Sequence, residues 1–192
     1  HPHAGVPNML ARNLERMGVI NAGDGMHAHP TQALVDLYTL RNHMGSLVGK
    51  KIVIVGDILH SRVVRSNLWG LVKMGAEVTL CGPPAFLPLS EAFIQIGGGN
   101  AKNSQVRIET SLEVALDGAD AVMALRVQSE NHGRGGITNI REYIRLYQLD
   151  ARRIQIAKPD AIIMHPGPVQ EGIEATSAVA RGSQSVISEQ VT

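Results

Sequence analysis

Apolar positions along this chain switch period several times, and each switch marks an element. Between residues 6 and 17, Val6, Met9, Leu10 and Leu14 recur at helical spacing, and Gly18 ends the stretch. A second helical pattern follows Pro30, a residue suited to a first turn. Ala33, Leu34, Leu37 and Leu40 share a face there, and Gly45 stands where a left-handed cap would close the helix. The helical period then vanishes. "KKIVIVGD", residues 50–57, is β-branched and apolar on both faces, the pattern of a strand buried in a parallel sheet. A helix over residues 61–74 ends at Gly75, and "AEVTLCGPP" supplies the next strand, completing a strand-helix-strand unit.

The alternation continues. A Pro-bounded helix is expected over residues 88–96, and the polar, glycine-rich "GGGNAKNSQ" of 97–105 reads as a surface insertion. "VRIE" is a short strand, Thr110 and Glu113 have capping-box spacing before a helix to 116, and "ADAVMALR" is another buried strand. Residues 127–138 are polar and are expected to form a loop able to move. Helical patterns over 139–147 and 150–156 lead to the strand "AIIM" and the loop "HPGPVQEG". The order predicts an α/β fold: a doubly wound, Rossmann-like, mostly parallel sheet of about five strands with helices on both faces. Ligands of such sheets bind beyond the carboxyl ends of the strands, which singles out the loops 22–32, 56–62, 126–136 and 165–172.

Composition narrows the partners. In 192 residues, 44% apolar content is enough for a core, while 3% aromatic content and a formal charge of +1 argue against nucleic acid and anionic lipid. The single cysteine, Cys81, cannot form an internal disulfide. No apolar run has membrane-spanning length and no cleavable signal is apparent, so a cytoplasmic location is expected. The chain begins at His1 inside a helical pattern and stops at "SVISEQVT" without a closing signal. Residues 1–18 therefore read as a remnant of a preceding domain or an inter-domain helix, and 19–192 as one α/β domain cut at both ends.

The four loops carry the chemistry. After "IVIVG", a dinucleotide site would want G-x-G-x-x-G; "GDILHS" stands there instead, which disfavours a nicotinamide enzyme. Arg62 opens the following helix, with Arg65 one turn on. Either both are solvated or pair with protein carboxylates, or Arg62 forks onto a substrate carboxylate or phosphate. Arg126 ends the "AVMAL" strand with Gln128 two residues on; buried there, it needs a protein carboxylate or an acidic ligand as partner. Two arginines at neighbouring strand ends favour an anionic small molecule. His29, ahead of Pro30 and Gln32, either caps its helix or donates an N–H to a carbonyl oxygen. His1, His3, His27 and His29 have no cysteine or paired carboxylate at ligand spacing, so no metal is expected. "MHPGP" is a stiff turn, whose Gly167 and Pro168 carbonyls could accept hydrogen bonds from a substrate NH2.

Taken together and in order, "INAGDGMHAHPTQALVDLYTL", "VGDILHSRVVRSN", "LRVQSE", "REYIRLYQL" and "MHPGPVQEGIE" resemble the catalytic chain of aspartate carbamoyltransferase across essentially all 192 residues. The resemblance covers the aspartate-binding domain, and the amino-terminal carbamoyl-phosphate domain, with its Ser-Thr-Arg-Thr-Arg clamp, is read as absent. It implies carbamoyl transfer from carbamoyl phosphate to L-aspartate in pyrimidine biosynthesis, without a cofactor and without a covalent enzyme species. His29 would polarise the carbamoyl carbonyl, Gln32 with the Gly167 and Pro168 carbonyls would hold the carbamoyl NH2, and Arg62, Arg126 and Gln128 would grip the aspartate carboxylates. It also implies a homotrimer, with regulatory chains or a dihydroorotase as possible associates, and a chain inactive without the amino-terminal domain. A non-catalytic binding or scaffold module of the same descent is the alternative. The related ornithine enzymes, expected to carry a His-Cys-Leu-Pro loop, are disfavoured by His165-Pro166-Gly167-Pro168 and by Arg126, which would repel an ornithine ammonium. Gln170-Glu171-Gly172, where the family often has Asn-Arg-Gly, and Asn131, where many relatives have arginine, are departures expected to weaken substrate affinity.

Overall fold

Five parallel strands organise the chain in this computed structural model, which describes residues 1–88, 105–127 and 139–191. Strands β1 (Lys51–Val55), β2 (Glu77–Cys81), β3 (Val106–Glu109), β4 (Ala121–Ala124) and β5 (Ile162–Met164) lie in the order β3-β2-β1-β4-β5. All four pairings among the described residues are parallel, in line with the expected sheet. Each strand stands where the apolar runs place it.

Why β-branched residues fill these strands follows from burial on both faces. Ile52 and Ile54 point into one core with Leu40, Leu68 and Leu71, while Val53 and Val55 point into the other with Leu112, Leu116, Tyr143 and Tyr147. Each fully buried isoleucine or leucine contributes roughly 1.5–3 kcal/mol before entropy is counted. Helices α2 (Pro30–Met44) and α3 (Arg62–Lys73) supply the first core. Helices α4 (Leu112–Leu116), α5 (Ile140–Tyr147), α6 (Ala151–Ile154) and α7 (Ser177–Ala180) supply the second. Helix α8 (Ile187–Val191) packs against α2 and β5, and α1 (Val6–Asn13) contributes no buried residue.

Several local expectations change. Helix α1 ends at Asn13, short of residue 17, because the backbone is already extended at Leu14. Leu34 is 67% exposed, so the inward stripe of α2 is Ala33, Leu37 and Leu40 without it. The cap of α4 is Ser111, whose hydroxyl accepts from Val114 N at 3.4 Å, while Glu109 accepts from the N–H groups of Thr110 and Ser111. The helix expected over 88–96 and the insertion of 97–105 lie almost wholly outside the described residues.

The chain runs outward from β1 through β2 to β3, then crosses back to place β4 on the other side of β1. Strand order therefore reverses between β1 and β4. Their carboxyl ends, Val55 and Ala124, are register partners, and a crevice is expected just beyond them.

Candidate functional site

A cavity of about 440 Å³ opens at that switch point. Its walls include Gly25, Met26, His29 and Gln32 from before and within α2, and Asp57, His60 and Arg62 from after β1. Leu125 and Arg126 after β4, and Pro166 and Gly167 after β5, complete them. Of the seven residues singled out from the sequence, His29, Gln32, Arg62, Arg126 and Gly167 meet here. Pro168 is exposed and lies outside the walls, and Gln128 lies outside the described residues, as does Asn131.

His29 is both a cap and a candidate donor. It is the N-cap of α2, and its Nδ1 accepts from the Gln32 backbone N–H at 3.2 Å, with the Thr31 hydroxyl 3.3 Å away. A ring nitrogen that accepts carries no proton, so the neutral ring bears its hydrogen on Nε2. Burial, and then the charge of Arg62, lower the His29 pKa and keep the ring neutral. Its backbone N–H donates to Ser66 Oγ at 2.8 Å, which ties the mouth of α2 to α3.

Gln32, one turn into α2, donates from Nε2 to Asp36 Oδ1 at 2.9 Å. With its NH2 committed to that carboxylate, Oε1 is the atom left to accept from a ligand. Asp36 is fully buried, and burial raises its pKa while the surrounding amides oppose that shift.

The two arginines are held more loosely. Arg62, the first residue of α3 after its Ser61 cap, is half-buried and donates from Nη1 to Gly25 O at 3.2 Å. Gly23, at φ 148°, lies beneath the guanidinium: a Cβ there would come within 3.0 Å of Arg62 Nη1. Arg126 is exposed, which corrects the expectation of burial, and no hydrogen bond or ion pair to it occurs among the described residues. The next residue is anchored instead: Val127 N–H donates to the buried Glu174 at 2.9 Å, and Glu174 also accepts from Gln170 N at 2.6 Å. One carboxylate thus joins the loops after β4 and β5. Arg65 donates to Leu59 O at 3.3 Å, beneath the loop that carries His60.

Gly167 has φ 74°, a left-handed conformation that favours glycine, and donates its N–H to His165 Nδ1 at 2.9 Å. His165 is buried, and desolvation, followed by the charge of Arg126, pushes its pKa down to about 4. It is a neutral structural ring rather than a titrating one.

Sequence reasoning passed over Asp57 and His60, which wall the cavity with Nδ1 of His60 2.9 Å from Asp57 Oδ1. Their signal was an acid and a histidine three residues apart directly after a buried strand. Glu171 was singled out as a charge reversal near the site, but Arg181 holds it through donors at 3.0 and 2.8 Å, and it is absent from the cavity walls. Among the described residues no group of three or more His, Cys, Asp or Glu is placed to hold a metal ion.

Comparison with known proteins identifies the family and the fold. Residues 48–192 match the family model described as aspartate/ornithine carbamoyltransferase, Asp/Orn binding domain, and residues 1–42 match the model of its carbamoyl-P binding domain. The second match corrects the expectation that the amino-terminal domain is absent: part of it is present, and the two models meet at the end of α2. The chain is 50% identical over 192 residues to the aspartate carbamoyltransferase catalytic subunit of Natranaerobius thermophilus, covering all of this chain and 58% of that protein. It is likewise 50% identical to the subunit of the same name from Desulforudis audaxviator, covering 59% of it. The chain thus spans somewhat over half the length of these relatives. Aspartate transcarbamoylase from Trypanosoma cruzi, solved with N-(phosphonacetyl)-L-aspartic acid, superposes with a TM-score of 0.77 at 26% identity, over 99% of this chain and 57% of that one. Ornithine carbamoyltransferase from Pyrococcus furiosus gives 0.75 at 28% identity, over 85% of this chain and 52% of that one.

Proposed function

Because the chain belongs to the aspartate/ornithine carbamoyltransferase family, we propose that it forms the aspartate side of a site moving a carbamoyl group from carbamoyl phosphate to the amine of L-aspartate. The products are N-carbamoyl-L-aspartate and phosphate. The observation that carries this reading is the convergence of a neutral imidazole, an acceptor amide and two guanidinia on one cavity of about 440 Å³.

In the proposed reaction the aspartate amine attacks the carbamoyl carbon, and the carbonyl oxygen gathers charge as a tetrahedral centre forms. His29 Nε2–H donates to that oxygen. Gln32 Oε1 and the Gly167 carbonyl accept from the carbamoyl NH2 and fix the plane of the electrophile; the part given to Pro168 rests on family resemblance alone. The C–O bond to phosphate then breaks, its electron pair leaves with the phosphate, and the departing phosphate takes the proton that the amine gives up. Arg62 and Arg126 take the two carboxylates of aspartate, joined by Gln128 on family resemblance. The bound geometry lowers the entropic part of the barrier. Guanidinia favour aspartate over ornithine, whose side-chain ammonium they repel. The same reading includes a homotrimer in the cytoplasm and no cofactor; no helix among the described residues is long and apolar enough to cross a membrane.

The test is direct. Full-length protein supplied with carbamoyl phosphate should carbamoylate L-aspartate and leave L-ornithine unchanged, and N-(phosphonacetyl)-L-aspartate should block turnover. Binding of that compound without any turnover would favour a non-catalytic module. Neither binding nor turnover would overturn both readings.

A further inference from the structure

Gln190 sits on α8, 3% exposed, and takes no part in the cavity walls. Its amide nevertheless spans two residues on which the walls depend. Nε2 donates to Asp36 Oδ1 at 2.5 Å, the same oxygen that receives Gln32 Nε2 at 2.9 Å, while Asn67 Nδ2 donates to Asp36 Oδ2 at 2.6 Å. At the other end, Gln190 Oε1 accepts the backbone N–H of His165 at 3.0 Å, and His165 Nδ1 in turn accepts from Gly167 N. The orientation is unambiguous: a carboxylate only accepts and a backbone N–H only donates, so nitrogen must face Asp36 and oxygen must face His165.

We infer that Gln190 is a positioning residue that joins the two halves of the carbamoyl-amide pocket, holding Gln32 with its oxygen toward the cavity and Gly167 at a fixed distance from it. This rests on the carbamoyl-transfer reading. The physical step is the amide flip. Three amide donors hold Asp36 as an ionised acceptor; with the Gln190 donor removed, the under-solvated buried carboxylate takes up a proton on Oδ1, which then donates to Gln32 instead of accepting from it. A flipped Gln32 offers NH2 in place of C=O, a donor facing the donor it is meant to receive. A hydrophobic residue would fill the Gln190 space equally well, so packing alone does not account for a buried amide there.

The test is Gln190→Met, which keeps the volume and removes both hydrogen bonds, in the full-length protein. The turnover number should fall about tenfold and KM for carbamoyl phosphate should rise, while KM for aspartate, set by the arginines, stays within about twofold. In a Gln32→Ala background the same substitution should cost less than about threefold, since the residue it positions is already gone. Full additivity with Gln32→Ala, or an equal rise in both KM values, overturns the proposal. Should the methionine variant not fold, Gln190→Asn, whose shorter amide cannot span Asp36 and His165 together, takes its place, and the same expectations apply. If the unsubstituted protein carbamoylates neither amino acid, the carbamoyl-transfer reading fails. Positioning is then decided by the Gln32 side-chain amide signals in nuclear magnetic resonance, which shift in Gln190→Met if Gln190 holds that amide and stay in place if it does not.

Discussion

On the His29 side of the cavity the ring Nδ1, the backbone N–H and the Gln32 amide are each committed to a partner. On the arginine side Arg62 makes one 3.2 Å contact to a carbonyl oxygen, and Arg126 stands exposed. One side is set before any ligand arrives; in the proposed reaction the other would be completed by the ligand. The difference follows from what each side would bind. A small neutral amide offers few contacts, so its donors and acceptors must be aimed in advance, because reorganisation during reaction costs rate. A dicarboxylate brings two full charges, and guanidinia satisfied beforehand by protein carboxylates would compete with it.

The largest break in this contrast comes from the finished side. His29→Ala removes the Nε2–H donor and the helix cap together. Turnover should fall by about 10²–10³-fold, the usual consequence of losing one donor at a developing oxyanion, and stability by about 1 kcal/mol. His29→Asn separates the two roles, since an asparagine side-chain oxygen still caps. Melting temperature should recover in that variant while most of the catalytic loss remains, and loss of both together would mean that His29 only caps. The ring should also titrate below its ordinary 6.5: burial and then Arg62 disfavour the charged form, so the imidazole is neutral at pH 7. A nuclear magnetic resonance titration of His29 that gave a value above 6.5 would contradict the lowered pKa and the neutral ring that follows from it.

The open side should fail differently. Arg126→Ala should raise KM for aspartate by about 100-fold with little change in KM for carbamoyl phosphate, because a charge-assisted fork is lost from one substrate only. Since Arg126 is exposed, its removal should leave thermal stability almost unchanged. A large fall in melting temperature would place Arg126 among the structural residues and remove one of the two guanidinia from the proposed function.

How much of this was legible depended on whether the signal was local. All five strands could be read because β-branched runs buried on both faces are short and continuous, and the strand-end loops followed from fold class alone. His29 was legible as either cap or donor, and the geometry makes it available for both. The support behind it was not legible. Gln190 and Asp36 lie 154 residues apart, and no periodicity links an amide in a five-residue helix to a carboxylate in another. Helices α7 and α8, of four and five residues, are too short to display a period. Arg126 was misjudged for a related reason: it follows a wholly buried strand, but the sheet's pairing ends at Ala124, and two residues are enough to carry a side chain out to the rim.

The smallest expected effect sharpens the contrast from outside. Glu171 lies four residues beyond Gly167, and by sequence distance alone it belongs to the open, charge-sensitive side. Its carboxylate, however, is turned toward α7. A hydrogen bond from Ser177 and then Arg181 lower its pKa, and Arg181 reaches it through two nitrogens while itself 76% exposed. A charge already paired and surrounded by water is strongly screened at the cavity, so Glu171→Gln should move KM for aspartate by no more than roughly twofold. Steady-state kinetics at low and at moderate ionic strength check this. A fall in KM well beyond that limit, present at low salt and erased at moderate salt, would show Glu171 repelling the dicarboxylate through the open side, and the boundary of that side would have to be drawn around it.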